Sequence, residues 1–224
     1  MKFCEWFPLY LRITDSLGIN RTDDYTSSLE LHRLIHNDES LFDRYRGRNA
    51  FIIGNGPDLE DALTTVSGGY VVVADSAIDT YMELRGIPDI IVSDLDGNVE
   101  SIINSSRKGS SIVLHAHGDN REKILQYAKY FPDALATTQN IPMAHLYNFG
   151  GFSDGDRAAF LADHLDAGLI TLIGFDFNHV NKKNYYDNNS LIRKSIKLAW
   201  AKYLLNCLAN SRGSDFTEGS IIEI

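Results

Sequence analysis

Short apolar runs alternate with longer amphipathic stretches over most of the chain. The runs are four or five residues long and rich in Val and Ile, a pattern typical of strands that are buried on both faces of a parallel sheet. We predict strands at residues 50–53, 70–74, 89–92, 111–114, 134–138 and 169–173. Helices are predicted between them, at residues 59–66, 77–84, 99–106, 121–130, 155–165 and 191–208.

Residues 1–48 have a different pattern, in which apolar positions recur with helical spacing. We therefore predict a helical N-terminal extension at residues 1–48 and one α/β domain at residues 49–224. The expected fold is an open, mostly parallel sheet with helices on both faces.

Composition narrows the possible partners. The 224 residues carry a net charge of -9, which argues against a nucleic-acid groove and against docking on anionic membranes. The two cysteines have no metal-ligand or redox spacing, and the apolar patch at residues 6–11 is too short for a secretory or membrane segment. We expect a cytoplasmic protein with small-molecule substrates, no nucleic-acid or membrane partner, and a homo-oligomeric state, a dimer.

The candidate chemistry lies where the predicted strands end. Asp94 and Asp96 directly follow an apolar run, and Gly97 permits a sharp turn after them. In an extended segment, side chains two positions apart point to the same side, so the two carboxylates could share a divalent cation. The alternative is that Asp94 caps the next helix and that Asp96 belongs to an ordinary turn.

Other strand ends carry residues that suit phosphate or metal. The first strand is followed by a glycine turn and a helix start, and the fourth by two histidines at alternate positions. Zinc is disfavoured because a third ligand at recognisable spacing is missing, while a core histidine and a helix cap remain open as alternatives. The candidate phosphate or cofactor contacts are Gly54, Asn55, Gly56, Pro57, Asp75, His115, His117, Gly118, Asp119 and Asn120.

A glycine pair opens one further loop. Gly150 and Gly151 precede a helix start that carries Ser153, Asp154, Asp156 and Arg157. This arrangement offers a flexible anion-binding loop, a second carboxylate pair and a bidentate phosphate donor, or simply a glycine turn with a capped helix. Lys194 and Lys197, on the final predicted helix, could reach a polyphosphate or lie in solvent.

Five motifs in this order resemble the archaeal-type 6-hydroxymethyl-7,8-dihydropterin pyrophosphokinases, a family similar in its core to the thiamine pyrophosphokinases. The motifs are GNGPDL at residues 54–59, PDIIVSDLDG at residues 88–97, HAHGDN at residues 115–120, NFGGFSDGDRA at residues 148–158 and GFDF at residues 174–177. Ser93 stands where threonine is expected in the family.

The resemblance implies a Mg²⁺-dependent transfer of diphosphate from ATP to the hydroxymethyl group of the dihydropterin, with release of AMP, in folate or methanopterin biosynthesis. Alternatives are a thiamine pyrophosphokinase-like enzyme acting on another alcohol, a non-catalytic Mg²⁺-nucleotide-binding module and a glycosyltransferase. We predict Asp94, Asp96, Asp119 and Asp154 as metal ligands. Asp94, Asp96, Asp154, Asp156 and Arg157 are the predicted catalytic residues. Asn148, Phe149, Phe175 and Asp176 are predicted to contact the acceptor ring.

Overall fold

The computed structural model describes residues 1–178 and 188–224, and its strands form a single eight-stranded sheet. The sheet order is β6-β5-β4-β3-β2-β1-β7-β8, and every neighbouring pair is parallel except β7 and β8. The strands are β1 (Ala50–Ile53), β2 (Tyr70–Ala74), β3 (Ile90–Ser93), β4 (Ser111–Ala116), β5 (Leu135–Thr138), β6 (Leu146–Tyr147), β7 (Ile170–Ile173) and β8 (Ile221–Glu223).

Helices cover both faces of this sheet, as the alternating pattern predicts. They are α1 (Phe3–Leu17), α2 (Arg21–Leu34), α3 (Leu59–Ala62), α4 (Ile78–Arg85), α5 (Val99–Arg107), α6 (Arg121–Tyr127), α7 (Asp154–His164) and α8 (Asn188–Ser211). Side chains of α1, α7 and α8 pack on one face, and side chains of α3 to α6 and the end of α2 pack on the other. The predicted fold class is therefore confirmed.

Two strands were missing from the prediction. β6 has only two residues and β8 only three, too few to produce a recognisable alternation. β8 runs antiparallel to β7 at one edge, with Ile222 opposite Leu172. The six predicted strands all appear, with ends displaced by two residues at most.

The register of the sheet brings the strand ends together. Ile53 at the end of β1 lies opposite both Val73 of β2 and Ile173 of β7, so the loops that follow these strands leave from one edge. In an open α/β sheet, ligands bind outside this carboxyl edge. The residues that follow the strands are thereby placed where a site can form.

The N-terminal helices pack directly on the sheet domain. The indole Nε1 of Trp6 donates to the carbonyl oxygen of Gln139 at 2.8 Å, and Trp6 is fully buried. Ser28 of α2 lies 2.6 Å from the hydroxyl of Thr138 at the end of β5. Helices α1 and α2 thus reach the carboxyl edge of the sheet. None of the helices in residues 1–178 and 188–224 is long and apolar enough to cross a membrane.

Candidate active site

Three carboxylates from three different segments converge at the carboxyl edge of the sheet. Asp75 follows β2, Asp94 follows β3 and Asp154 begins α7. One oxygen of each lies within 4.8 Å of the others. Asp94 also belongs to a second such group, with Asp96 and His117. Asp94 is therefore the centre of the site.

The carboxylate of Asp94 is held in its ionised form by its neighbours. His117 Nε2 lies 3.1 Å from Asp94 Oδ2, and the backbone N–H of Asp96 donates to Oδ1 at 3.1 Å. Burial raises the pKa of Asp94, but the hydrogen bond from His117 and the positive charge of Arg157 outweigh it and lower the pKa to about 2. Asp94 is thus an anion over the whole physiological range.

The geometry also indicates which nitrogen of His117 carries the proton. The backbone N–H of Asp119 donates to His117 Nδ1 at 3.3 Å, so Nδ1 is the unprotonated nitrogen of the ring. Nε2 then carries the hydrogen and donates it to Asp94. His117 accordingly orients Asp94.

Asp94 and Asp96 are close together, but not for the reason that the sequence suggested. β3 ends at Ser93, and Leu95 adopts a left-handed conformation with φ of 65° rather than an extended one. Such a backbone is costly for a residue other than glycine, and here the buried Leu95 side chain anchors it in the core. As a result Asp94 is largely covered, whereas the Asp96 side chain is 61% exposed and pairs with Lys123 at 2.9 Å.

Asp75 lies beneath this turn and is almost fully buried. Its Oδ2 accepts a hydrogen bond from Ser93 Oγ at 2.6 Å, which gives the Ser93 hydroxyl a defined role. Its Oδ1 lies against Gly97, where the Cβ of any side chain would overlap with that oxygen. Burial raises the pKa of Asp75, and Asp94 and Asp96 add to the increase. Only glycine fits at position 97, because the Asp75 carboxylate approaches the backbone there too closely for a Cβ atom.

Asp154 is held by the guanidinium of Arg157. Arg157 donates from one nitrogen to Asp154 Oδ1 and from another to Gln139 Oε1, both at 2.9 Å, and its side chain is buried. Burial and the charge of Asp94 raise the pKa of Asp154 well above its ordinary value. Arg157 therefore stabilises the charged form of Asp154, which burial and the charge of Asp94 disfavour.

Asp156 faces its own loop and not the carboxylate cluster. It accepts hydrogen bonds from the backbone N–H of Phe152 at 2.7 Å, the N–H of Ser153 at 2.8 Å and the Ser153 hydroxyl. Ser153 and Asp156 form the capping box of α7, behind Gly150 and Gly151 with φ of 96° and 85°. These bonds give Asp156 and Ser153 a structural role at the start of α7, and their catalytic and phosphate-binding roles stay predictions.

The turn after β4 is likewise mostly structural. Asn120 is buried and donates to the carbonyl oxygens of Asp94 and His115 at 2.8 and 2.7 Å, so it fixes the turn rather than a phosphate. His115 is buried beside Thr137, with 3.0 Å between Nδ1 and Oγ1. Asp119 is 76% exposed and is absent from the candidate cation groups in the described part of the chain.

The first glycine turn packs against another strand end. The N–H of Gly56 donates to the Gly174 carbonyl at 2.7 Å, and a Cβ on Gly54 would lie 2.8 Å from the same oxygen. Asn55 and Pro57 are not buried. The close contact between the loops after β1 and β7 accounts for both glycines without a phosphate.

A large cleft lies beside the far end of α7. It has a volume of about 600 Å³, and Asn148, Phe149 and Tyr147 form part of its wall together with His164 at the far end of α7. His164 is ten residues beyond Asp154, about 15 Å at the rise of an α-helix. Phe149 stacks on Tyr147 and contacts the His164 ring. Asn148 and Phe149 therefore line this cleft, and Phe149 also lines a smaller pocket together with Arg157, which is bonded to Asp154.

The four residues of the predicted ring pocket follow two different strands. Asn148 and Phe149 follow β6, while Phe175 and Asp176 follow β7. These strands are six positions apart in the sheet, but the loop after β6 returns to α7, where a Cβ on Gly151 would lie 2.6 Å from the backbone nitrogen of Arg157. Phe175 lies beside the start of α7, where a Cβ on Gly155 would be 2.9 Å from its ring. Of the two pairs, Phe175 and Asp176 are nearer Asp154.

The sequence left the role of Lys194 open, and the structure places this lysine near Asp154 and Asp156. Lys194 of α8 is partly buried, and burial lowers its pKa while the charges of Asp154 and Asp156 act in the opposite direction. Lys197 lies close enough to Lys194 to lower that pKa further. An ammonium group thus lies within electrostatic reach of the carboxylate cluster.

The comparisons with known proteins agree with the sequence motifs. The family model described as "6-hydroxymethylpterin diphosphokinase MptE-like" matches residues 27–182. Three curated proteins named 6-hydroxymethyl-7,8-dihydropterin pyrophosphokinase are similar to the chain over nearly its whole length. They come from Pyrococcus furiosus (37% identical, 99% of this chain and 100% of the relative), Methanocaldococcus jannaschii (34%, 96% and 99%) and Methanothermobacter thermautotrophicus (38%, 93% and 95%).

The chain belongs to the MptE-like family. In this MptE-like protein the donor set of the cluster fits a hard divalent cation such as Mg²⁺, because its members are carboxylate oxygens. Burial, followed by the charge of Asp94, raises the pKa of Asp75 and Asp154, so a cation bound among them would favour their charged forms. Asp75, Asp94 and Asp154 could hold such an ion, and so could Asp94 together with Asp96 and His117.

Two polar residues of this MptE-like chain escaped the sequence analysis. Gln139 directly follows β5. Since ligands bind beyond the carboxyl ends of strands, the sequence could have indicated Gln139 if the residues after the strand at 134–138 had been considered like those after the other strands. Asp24 lies on α2, where an acidic residue in the first turn looks like ordinary helix stabilisation. Its burial and its partners become visible only when the fold is known.

Proposed function

We propose that this chain transfers diphosphate from ATP to 6-hydroxymethyl-7,8-dihydropterin in a Mg²⁺-dependent reaction that releases AMP. The observation that carries the proposal is the convergence of Asp75, Asp94 and Asp154 at the carboxyl edge of the sheet. Membership of the MptE-like family, and relatives named for this pyrophosphokinase activity, support the substrate class.

Asp75, Asp94 and Asp154 would hold Mg²⁺, which when bound neutralises phosphate oxygens of the nucleotide. The side chains around these three carboxylates hold them in position. His117 donates to Asp94 and keeps one of its oxygens fixed, and Arg157 does the same for Asp154. Because both Arg157 contacts are already made inside the protein, we assign it to positioning Asp154 rather than to binding a phosphate.

Lys194 would contact the polyphosphate from the side of α8. Its ammonium group adds a positive charge to that of Arg157 in the surroundings of Asp154. The partial burial of the Lys194 side chain limits the positions that the ammonium group can occupy. Phosphoryl transfer of this kind depends on positioning and charge neutralisation more than on covalent chemistry. The residues around the cluster supply both.

We place the acceptor ring next to Phe175 and Asp176. Phe175 offers an aromatic face beside the start of α7, close to Asp154, and Asp176 follows it at the end of β7. Asp176→Ala should raise the KM for the dihydropterin about tenfold and that for ATP much less, because an unpaired ring donor costs about 1–3 kcal/mol. Equal losses for the two substrates would contradict this placement.

The direct test is an assay of the purified chain with ATP, hydroxymethyl-dihydropterin and Mg²⁺, followed for AMP and the pterin diphosphate. We expect both products in equal amounts, and none when EDTA is added or thiamine replaces the pterin. AMP formation with thiamine alone would favour a thiamine pyrophosphokinase-like enzyme. Release of a nucleoside diphosphate, or of no product at all, would contradict the proposal.

A further inference from the structure

Asp24 of α2 is a charged residue buried at the junction of the helical N-terminal segment and the sheet. It is 1% exposed, and its two carboxylate oxygens accept three hydrogen bonds. The N–H of Gly118 donates to Oδ1 at 2.7 Å, while the hydroxyl of Tyr10 and the amide Nε2 of Gln139 donate to Oδ2 at 2.8 and 2.7 Å. A buried carboxylate needs such donors to offset its desolvation.

The first of these bonds reaches Asp94. Gly118 directly follows His117, so the bond from its N–H to Asp24 fixes the turn that carries the imidazole. That imidazole donates to Asp94 Oδ2 at 3.1 Å. A Cβ on Gly118 would lie 2.9 Å from Asp23, which shows how tightly the turn is packed against α2.

The bond from Gln139 connects Asp24 to Asp154. Gln139 is buried, with its Nε2 donating to Asp24 and its Oε1 accepting from Arg157 at 2.9 Å. Arg157 in turn donates to Asp154. The orientation of the Gln139 amide is determined by these partners, because only its nitrogen can donate to Asp24 and only its oxygen can accept from Arg157.

We propose that Asp24 is a positioning residue that sets the placement of Asp94 and Asp154 relative to each other, through His117 on one side and through Gln139 and Arg157 on the other. Asp24 lies outside residues 27–182, the part matched by the family model. Through this residue the N-terminal segment becomes part of the active site. The proposal rests on the proposed function, since it assigns a role in that site.

Hydrogen-bond direction provides the test. In Asp24→Asn the new amide cannot accept from both Gly118 and Gln139, so one of the two connections is lost. Gln139→Glu places a second carboxylate against Asp24 and loses the same donor. In the double variant, the amide nitrogen introduced at position 24 can donate to the carboxylate introduced at position 139, which still accepts from Arg157. The amide oxygen at position 24 accepts from Gly118, and the net charge equals that of the native protein.

We would measure kcat and KM for ATP and the dihydropterin, and independently the Kd for Mg²⁺ by calorimetry. Each single variant should lose about 10- to 100-fold in kcat and in Mg²⁺ affinity, the range expected when a residue behind a metal ligand is changed. The double variant should recover at least about tenfold of each loss. Thr26→Ala is the control on the same helix, since the Thr26 hydroxyl donates to the backbone carbonyl oxygen of Thr22; it should leave kcat and the Mg²⁺ affinity unchanged.

Native kcat and native Mg²⁺ affinity in Asp24→Asn would overturn the proposal. So would a double variant that is no better than the worse single one, because a merely structural role predicts additive losses. A native protein that binds Mg²⁺ but forms no AMP would count against the proposed function instead. In that case the Mg²⁺ affinities of the variants still decide whether Asp24 positions the two carboxylates.

Discussion

The carboxylate cluster and the large cleft, both formed by described residues, differ in how their charges are paired. In the cleft, Glu39 bonds to His164, Asp166 to Arg46, and Asp163 to Arg212. At the cluster, Asp75, Asp94 and Asp154 face one another with only Arg157 bonded to a member as a cation among the described residues. The comparison is our reason for placing the proposed chemistry at the cluster, where the charge is incompletely neutralised, and not in the cleft, which offers more volume.

The largest expected difference between the two regions is the loss of activity when one carboxylate is removed. Asp94→Asn should lower turnover at least about a hundredfold, since removing a charge-stabilising element of this kind is worth roughly 3 kcal/mol. The melting temperature should fall slightly, because the lowered pKa of Asp94 shows that the folded state favours its charged form. Steady-state kinetics and a thermal melt measure both.

Asp166→Asn in the cleft is the matched control for Asp94→Asn. Its side chain is 73% exposed and pairs only across the surface with Arg46, so activity should change less than about twofold. If the Asp166 variant lost more activity than the Asp94 variant, the assignment of the two regions would have to be reversed.

A smaller effect is expected at Lys194. Lys194→Met should raise the KM for ATP about tenfold, because the variant loses one charge-assisted hydrogen bond to the nucleotide. The stability of the variant should be equal to or above that of the native protein. Burial lowers the pKa of Lys194, so the folded state gains nothing from its charge. Lys202→Gln on the same helix, where Lys202 pairs with Glu218, is the control and should leave the KM unchanged.

His115 should make the stability depend on pH. Burial, followed by the charge of Arg157, lowers the pKa of this imidazole well below its ordinary value. The unfolded chain then binds more protons than the folded one below about pH 6.5, so this residue makes the free energy of unfolding rise with pH up to that point. The slope is at most about 1.4 kcal/mol per pH unit for one proton.

Urea denaturation at several pH values, with His115→Gln beside the native protein, measures this slope. The variant should have a flatter profile below about pH 6.5, whereas His36→Gln, at a position that is not buried, should follow the native curve. Parallel curves for the native protein and the His115 variant would show that His115 does not change its protonation on unfolding.

The smallest effect on activity is expected in the cleft itself. Phe149→Ala removes a half-buried ring that stacks on Tyr147, and should cost about 1–2 kcal/mol of stability. The kcat/KM for either substrate should change less than about twofold. A selective rise in the KM for the dihydropterin would place the acceptor ring in the cleft and remove the distinction between the two regions.

The sequence predicted elements well where a local pattern determines them. β1 and β2 were predicted with their observed bounds, and α7 within one residue, because apolar runs and glycine or serine boundaries are local signals. Asp94 and Asp154 are predicted as metal ligands, and Asp75 as a cofactor contact, because they follow strand ends or a glycine pair. The capping role of Asp156 was not predicted, because a capping carboxylate and a catalytic one look alike in sequence.

What the sequence could not supply depends on contacts between distant segments. The bonds from Asp24 to Gly118 and Gln139 span 94 and 115 residues, so no local pattern indicates them. The strand order is likewise not a local property, since β6 and β7 are consecutive in the chain but six positions apart in the sheet. The left-handed Leu95 is likewise stabilised by its burial in the core rather than by its neighbours in sequence.

The central claim is that a divalent cation binds among Asp75, Asp94 and Asp154. The most direct measurement is a crystal structure with Mn²⁺ and a non-hydrolysable ATP analogue, read from the anomalous difference density of the metal. The account predicts a peak in contact with oxygens of all three carboxylates, and its loss in Asp94→Asn. A metal peak in the cleft beside Glu39 and Asp163, with none at the cluster, would contradict the claim.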